Sequence, residues 1–491
     1  MTRVIVPIVP ASAADIGGSA MSLSLLSSPA SACAADHAEI PLTPVSGPRY
    51  TSYPTADRFN DRVDASALRQ ALHARRDDPQ RAAAPLSLYV HVPFCQSVCY
   101  YCACNKVVTK QYGKATEYLS FFEREVDLLV AELGRGAPVG QLHLGGGTPT
   151  YLDDDDLRGL LALLRSRFAL RPDAEMSIEV DPRTVDAGRL AMLAELGFNR
   201  LSFGVQDFDP AVQKAVHRIQ SAEQVFSLVR SARELGFGSI NVDLIHGLPK
   251  QTEASFARTI DTVITLRPDR IAVYAYAHLP TRFKPQRRID AVDLPSPQAR
   301  MTMHRRTIES LTDAGYVYIG MDHFALPDDG LSIARRERSL HRNFQGYSTQ
   351  ADCDLIAIGV SGISKIGDTF SQNARDLHDY YRMVDEGRLP VVRGWTLTDD
   401  DRLRRDVIMA LMCQGRVDRA AVARAHRIDF DACFADELAD LAPFAEQGLV
   451  RIEDEAIVVT DAGWYVVRAI AMVFDAYLRR SGDLSRFSRI L

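Results

Sequence analysis

Four cysteines fall within ten consecutive positions, in the string Val92-Pro-Phe-Cys95-Gln-Ser-Val-Cys99-Tyr-Tyr-Cys102-Ala-Cys104-Asn-Lys106. The other four, Cys33, Cys353, Cys413 and Cys433, stand alone. A cluster this dense calls for a covalent or metal explanation. Disulfides suit short secreted scaffolds, not a 491-residue chain with half its thiols scattered. A structural zinc takes two knuckles separated by a longer loop, and no second knuckle is present. A redox Cys-x-x-Cys pair leaves Cys95 and Cys104 without a role. An iron–sulfur cluster fits better, because thiolates are its protein ligands and a compact loop can wrap it. Cys95, Cys99 and Cys102 would hold three irons of a [4Fe–4S] cube, leaving the fourth open to a small molecule. Such a loop implies a reducing compartment.

The composition is that of a large globular chain, 46% hydrophobic and 24% charged. A net charge of −6 gives no basic excess to advertise nucleic acid or an acidic membrane surface. No run of eighteen apolar residues reads as a transmembrane helix. Residues 1–46 differ: rich in Ala, Ser and Pro, they read as a flexible N-terminal extension. Met1-Thr-Arg3 and Ala32-Cys-Ala34 faintly suggest a signal peptide, but prolines and Asp15 break the apolar run.

Residues 47–85 are expected to pack on the main domain. Their proline-bounded string Gly47-Pro-Arg-Tyr50-Thr-Ser-Tyr53-Pro-Thr55 reads as extended, either a surface linker or a cover for the site mouth. A pattern of about thirty residues then repeats. Strands are expected at Leu86–Val92, Leu142–Leu144, Met176–Pro182, Arg200–Gln206, Ile240–Ile245 and Arg270–His278. Helical patterns lie near 115–134, 155–168, 186–196, 222–235 and 253–266. Six such units argue a parallel sheet with helices outside it, and ligands bind at the C-terminal ends of such strands. Residues 297–390, loop-rich and polar, suit the lining of a substrate cavity. From residue 393 to 491 the pattern is mainly helical. Leu403, Val407, Ile408, Leu411 and Met412 share one face, Leu449–Thr460 reads as a hairpin and Trp464–Leu478 as a last helix. This suggests a winged-helix-like cap. Five acidic residues and no basic ones between Asp431 and Gly448 argue against a DNA-reading helix.

The Cys-x3-Cys-x2-Cys spacing is the signature of the radical S-adenosylmethionine (SAM) enzymes. The longer string His91–Lys106, with its extra Cys-x-Cys, resembles the oxygen-independent coproporphyrinogen III oxidases. Related heme chaperones share much of this loop but typically lack the fourth cysteine. The alternative reading is therefore a heme chaperone of the same superfamily without decarboxylase activity, and Cys104 favours the oxidase. The resemblance covers the chain from about Pro48 onward. It implies an incomplete, six-stranded TIM-like (β/α)6 radical SAM barrel over 86–392 with a C-terminal cap, a [4Fe–4S] cluster and SAM. The implied reaction converts two propionates of coproporphyrinogen III to vinyl groups, giving protoporphyrinogen IX without oxygen in heme and porphyrin biosynthesis. SAM would be split to methionine and a 5′-deoxyadenosyl radical, which removes a propionate β-hydrogen before CO2 and an electron are lost. An unidentified electron donor is required. The protein is expected to be cytoplasmic and monomeric, without nucleic acid or membrane partners.

By the same match, Cys95, Cys99 and Cys102 are the cluster ligands, and Cys104 is functional without binding metal. Gly146, Gly147 and Thr148 correspond to a SAM amine site; read alone, such a triplet is also a tight strand–helix turn. Tyr89, Tyr101, Glu179, Gln206, Arg218, Asp243, Ala277 and Ile363 are further expected SAM contacts. Glu179 and Asp243 could equally be structural ion pairs or helix caps. Arg218 could clamp a carboxylate by its planar fork. Candidate anchors for the substrate carboxylates are Arg282, Lys284, Arg287, Arg288, His341 and Arg342, each also readable as solvated basic surface. His246 and Lys284-Pro285 depart from the family pattern and could alter substrate fit.

Overall fold

The computed structural model describes residues 46–350 and 353–481. The extension read over residues 1–46 lies outside them except at its last residue. Six strands, β1 Leu86–Val92, β2 Ala137–Gly146, β3 Phe168–Val180, β4 Arg200–Gln206, β5 Ser239–His246 and β6 Arg270–Ala275, pair in sequential order, every pair parallel. Six more extend the sheet: β7 Val317–Gly320, β8 His323–Ala325, β9 Leu355–Ile358, β10 Ile363–Ile366, β11 Thr369–Asn373 and β12 Val391–Thr396. The order is β12-β11-β10-β9-β1-β2-β3-β4-β5-β6-β8-β7. β9 joins β1 in parallel, whereas the outer pairs on both sides are antiparallel.

β1 is central because both its edges are taken: Leu88 faces Leu142 on one side and Ile356 on the other. A strand covered on both faces reads as a near-continuous apolar run, and all of β1 except Tyr89 is buried. The helices follow equally local rules. Asp154–Arg167 is capped by Asp153, carries Asp154, Asp155 and Asp156 in its first turn and Arg165 and Arg167 in its last. That charge order suits the helix dipole. Its buried face is Leu157, Leu160, Leu161 and Leu164, at helical spacing.

One buried knot fixes the β9 side. Glu125, on helix Gly113–Leu133, is 1% exposed. It accepts hydrogen bonds from Gly359 N (2.8 Å), Tyr380 Oη (2.6 Å) and Asn373 Nδ2 (2.6 Å). Burial pushes its carboxyl up to about 7, against those three donors. Next to it, Tyr118 Oη donates to His91 O (2.7 Å) and accepts from Val360 N (3.1 Å).

The C-terminal helices include Asp399–Gln414, Arg419–His426 and Ala435–Glu446. Val450–Ile452 and Ala456–Val459 form the expected hairpin, and Arg416–Asp418 joins it as a third strand just ahead of helix Arg419–His426. The single helix expected over Trp464–Leu478 is instead three short ones, Asp461–Trp464, Val467–Met472 and Ala476–Ser481. Asp475 breaks it, since its Oδ1 takes the amides of Tyr477 (2.9 Å) and Leu478 (3.1 Å) and starts a new turn. The N-terminal string is an interior element rather than a surface linker. Tyr50 and Tyr53 are fully buried, Tyr50 Oη donating to Asp475 Oδ2 at 3.0 Å and Tyr53 Oη accepting from Ala476 N at 3.2 Å. Arg468 Nε donates to Pro48 O at 3.1 Å.

Candidate active site

The cysteine loop leaves β1 and faces a cavity of about 510 Å³ at the C-terminal ends of β2 to β6. Cys95, Cys99, Cys102, Cys104 and Tyr101 line one side. Gly146, Gly147, Thr148, Glu179, Gln206, Arg218 and Asp243 line the rest, with Asp181, Arg183 and Tyr274. The cysteines are unbridged.

The glycines bring the loop close. Gly147 N donates to Val92 O and Thr148 N to Phe94 O, both at 2.8 Å. A Cβ on Gly147 would sit 2.7 Å from the Pro93 carbonyl, so the turn after β2 accepts no side chain there. Thr148 Oγ1 lies 3.4 Å from Cys95 Sγ. Beneath the loop, His91 Nε2 donates to Asn105 O (3.0 Å), which leaves Nδ1 to accept from Tyr89 Oη (3.2 Å). Tyr89 itself stacks on His143 at 5.8 Å, beside the lining rather than in it.

Charge is concentrated at Cys99. Arg218 Nη1 lies 3.5 Å and Arg183 Nη2 3.8 Å from its sulfur. Both guanidiniums also hold Asp181, at 3.1 and 2.7 Å. Burial works to raise the Asp181 carboxyl, but the two arginines outweigh it and hold it below its usual range. Arg218, 7% exposed, is thus committed to Asp181 and the Gly204 carbonyl, not poised as an open carboxylate clamp. Its Nε is buried without a hydrogen-bond partner. Burial raises the Cys95 thiol to about 11, while the hydrogen bond from Cys104 draws Cys102 down to about 6.

Across the cavity, Glu179 Oε2 accepts from Gly146 N (3.2 Å) and its Oε1 lies 3.6 Å from His143 Nε2. Asp243 accepts from Ser202 Oγ (2.8 Å) and Asn241 Nδ2 (2.9 Å), and burial pushes it up to about 6. Gln206 takes φ +70°, a strained position for a non-glycine residue at a strand end. Ala277 lies off the lining but is tied to the loop, since Gln286 Nε2 donates to both Tyr101 O (2.9 Å) and Ala277 O (3.2 Å). Ile363 opens β10 and packs against a separate cluster of Phe59, Phe370 and Leu397. Arg282, Lys284, Arg287 and Arg288 line neither this cavity nor a second one of about 300 Å³, where His341 and Arg342 meet Thr51, Ser52 and Tyr53. His246 stacks on His304 at 5.4 Å, outside both linings. Sequence reasoning passed over Asp181, Arg183, Gln286 and Tyr274. The strand-end string Asp181-Pro-Arg183 was the visible signal for the first two.

The donor set suits an iron–sulfur cluster. Three unbridged thiols on one loop face one cavity with two guanidiniums against them. Among the described residues no three His, Cys, Asp or Glu side chains converge on a single-ion position. A cluster spreads its thiolates over separate irons, so it does not need that convergence.

The comparisons agree. The Radical SAM superfamily model matches residues 89–263, and the HemN C-terminal domain model matches 397–466. Fold and site together define a radical SAM enzyme, which uses a [4Fe–4S] cluster and SAM. The chain is 51% identical over 449 residues to the oxygen-independent coproporphyrinogen III oxidase of Pseudomonas aeruginosa, covering 91% of this chain and 96% of that protein. It is 43% identical over 446 residues to the enzyme of the same name from Helicobacter pylori, with 91% and 97% covered. The solved Escherichia coli coproporphyrinogen III oxidase (HemN), a radical SAM enzyme, superposes with a TM-score of 0.84 at 49% identity over 89% of this chain and 100% of that one. This chain belongs to the oxygen-independent coproporphyrinogen III oxidase family.

Proposed function

We propose that the protein oxidatively decarboxylates two propionates of coproporphyrinogen III to vinyl groups, giving protoporphyrinogen IX in heme biosynthesis. The observation that carries this reading is the single cavity shared by the cysteine loop, the glycine turn and the carboxylates of Glu179 and Asp243. When bound, the cluster and SAM supply one-electron, hydrogen-abstracting chemistry. The chain's residues bind, orient and shield. Cys95, Cys99 and Cys102 would hold the cluster through their thiolates. Arg218 and Arg183 offset the negative charge gathered at Cys99. Gly146, Gly147 and Thr148 expose backbone at close range, and Glu179 faces them as a partner for an amine or ribose hydroxyls. Tyr89, Tyr101, Gln206, Asp243 and Ala277 border the same space or support the loop, and Ile363 enters only through β10. Cys104 is exposed and directs its thiol at Cys102, which suits a role beside the cluster and not as its ligand.

Candidate cationic partners for the substrate's carboxylates lie beside Tyr274 of this lining and in the smaller cavity. Arg49 pairs with Asp322 and lies over the Tyr274 ring at 5.6 Å. Burial, then repulsion from Arg468 and Arg342, lowers Arg49 to about 9. Arg342 keeps Nη1 buried without a hydrogen-bond partner. This surplus of guanidinium charge supports Arg342 as a propionate anchor. No described helix is long and apolar enough to cross a membrane. The unbridged thiols support a cytoplasmic setting, and the protein is read as a monomer without a nucleic-acid partner.

The test is an anaerobic assay of reconstituted protein with dithionite, SAM and coproporphyrinogen III, resolved by chromatography. Protoporphyrinogen is expected. SAM cleavage without tetrapyrrole conversion would reject the substrate.

A further inference from the structure

The proposed chemistry draws one electron from outside the chain whenever SAM is cleaved. A donor therefore has to approach the cysteine loop, and the loop's outer side has the features of a docking face. Tyr100, between Cys99 and Tyr101, stacks on exposed His217 at 5.1 Å with the rings 8° from parallel. Tyr100 N donates to Val216 O (3.0 Å), and His217 Nδ1 donates to Val98 O (2.9 Å). Arg288 also lies over the Tyr100 ring, 5.1 Å from its centre. Val216 and Ile289 are buried in one small cluster against which Tyr100 and Leu294 pack. The segments around 217–219 and 284–292 therefore flank the loop together.

Two properties of this face stand out. Val292, 82% exposed, and Ile219, 69% exposed, are the two most exposed large apolar side chains among the described residues. The face is also cationic on a chain of net charge −6. Arg282, Lys284, Arg287 and Arg288 fall within seven positions, and no acidic residue lies between Asp269 and Asp290. Arg287 donates to Pro280 O, Arg288 meets Tyr100 Oη and its ring, and Arg282 lies over Phe283; none of these partners is a carboxylate. Lys214 adds a further exposed cation beside His217. Asp290 and Asp293 flank Val292, and Asp293 pairs with Lys250, so the cationic excess lies on the Arg282–Arg288 side of the face. Exposed apolar side chains beside cations that lack carboxylate partners mark a transient protein interface. Because these cations line neither cavity, a substrate carboxylate is the poorer occupant.

We propose that the surface formed by Tyr100, His217, Ile219, Arg287, Arg288 and Val292 docks an acidic one-electron carrier protein. The inference rests on the radical SAM reading above. The carrier is oxidised by one electron, the bound cofactors are reduced by one, and no atom is transferred. Such contacts are small, are steered by charge and weaken with salt.

The test uses two electron sources with the reconstituted full chain under anaerobic conditions: dithionite, and an acidic flavodoxin in its hydroquinone form. In Arg287→Glu/Arg288→Glu, flavodoxin-driven SAM cleavage at low ionic strength is expected to fall about tenfold or more, with the dithionite-driven rate unchanged. Anaerobic titration calorimetry of oxidised flavodoxin with the reconstituted chain is expected to show binding lost in this variant. The neutral Arg287→Gln/Arg288→Gln pair should lie between. An unchanged flavodoxin rate and affinity would overturn the proposal. Equal loss with both donors would overturn it too, assigning the arginines to loop support. Loss of coproporphyrin III binding with flavodoxin binding intact would make them substrate anchors instead. Failure of the functional reading is separable, because it would show as absent tetrapyrrole conversion by the unmodified chain with dithionite.

Discussion

Two buried charged networks sit on either side of β1, and they are finished to different degrees. Around Glu125 both carboxylate oxygens are taken by Gly359, Tyr380 and Asn373, and the group joins a helix, β11 and the end of β9. Around Cys99 the polar groups are in surplus: Arg218 keeps a buried Nε unpartnered, and the thiols stay unbridged. A completed network locks a fold, whereas an incomplete one is held open for something that arrives later. The distinction separates two buried ionic sites that composition alone would class together.

The comparison can be broken by substitution. The largest expected effect is Cys99→Ala, which should abolish both iron–sulfur absorbance after reconstitution and all SAM cleavage, with circular dichroism unchanged. Next is Gly147→Ala. Its new Cβ must displace the Pro93 carbonyl, so a loss of about 1–3 kcal/mol in denaturant titration is expected, together with lost SAM binding. Glu125→Gln should do the reverse of Cys99→Ala. It puts an amide donor among donors and should cost about 1–3 kcal/mol, leaving turnover per loaded cluster intact. Its pH signature is specific. The folded carboxyl titrates near 7 against 4.5 in its ordinary state, so its contribution to stability is full below about 4.5 and is lost as pH rises through about 7. Glu125→Gln should remove that decline, which is at most about 1.4 kcal/mol per pH unit. The smallest effect is Ser202→Ala, which removes a donor to Asp243. That carboxyl should then titrate above its present value of about 6, moving the acid limb of the pH–rate profile upward. An unmoved limb would exclude Asp243 from the rate-determining ionisation.

Much of this contrast was legible in the sequence. The six parallel strands show as apolar runs separated by helical patterns, because local burial on both faces dictates them. The cysteine spacing marks the loop, and most of the residues carried to the site by resemblance line one cavity. What failed to show is non-local. β9 pairs with β1 across more than 260 positions, and four apolar residues in a loop-rich stretch give no signal of that. Gln286 reaches the cysteine loop from 185 positions away. Asp475 interrupts the last helical pattern because its capping of Tyr477 and Leu478 overrides apolar periodicity. Ile363 is carried to the site by resemblance alone, but the pairing of β10 with β11 places it with Phe59 and Phe370, away from the lining.

The tie between Tyr50 and Asp475 has a consequence for synthesis. The partners are 425 positions apart, and Tyr53 depends on Ala476 in the same way. At about 5–20 residues per second, roughly 20 to 85 seconds of translation separate the emergence of these tyrosines from that of the aspartate that receives them. During that interval two large aromatic side chains destined for full burial have no native seat. The parallel strands can assemble meanwhile, but the region joining the two ends of the described chain closes only once nearly the whole polypeptide has been made. A prematurely terminated chain lacking Asp475 would keep its cysteine loop and lose its closure, exposing Tyr50 and Tyr53 to the proteases that clear unfinished products.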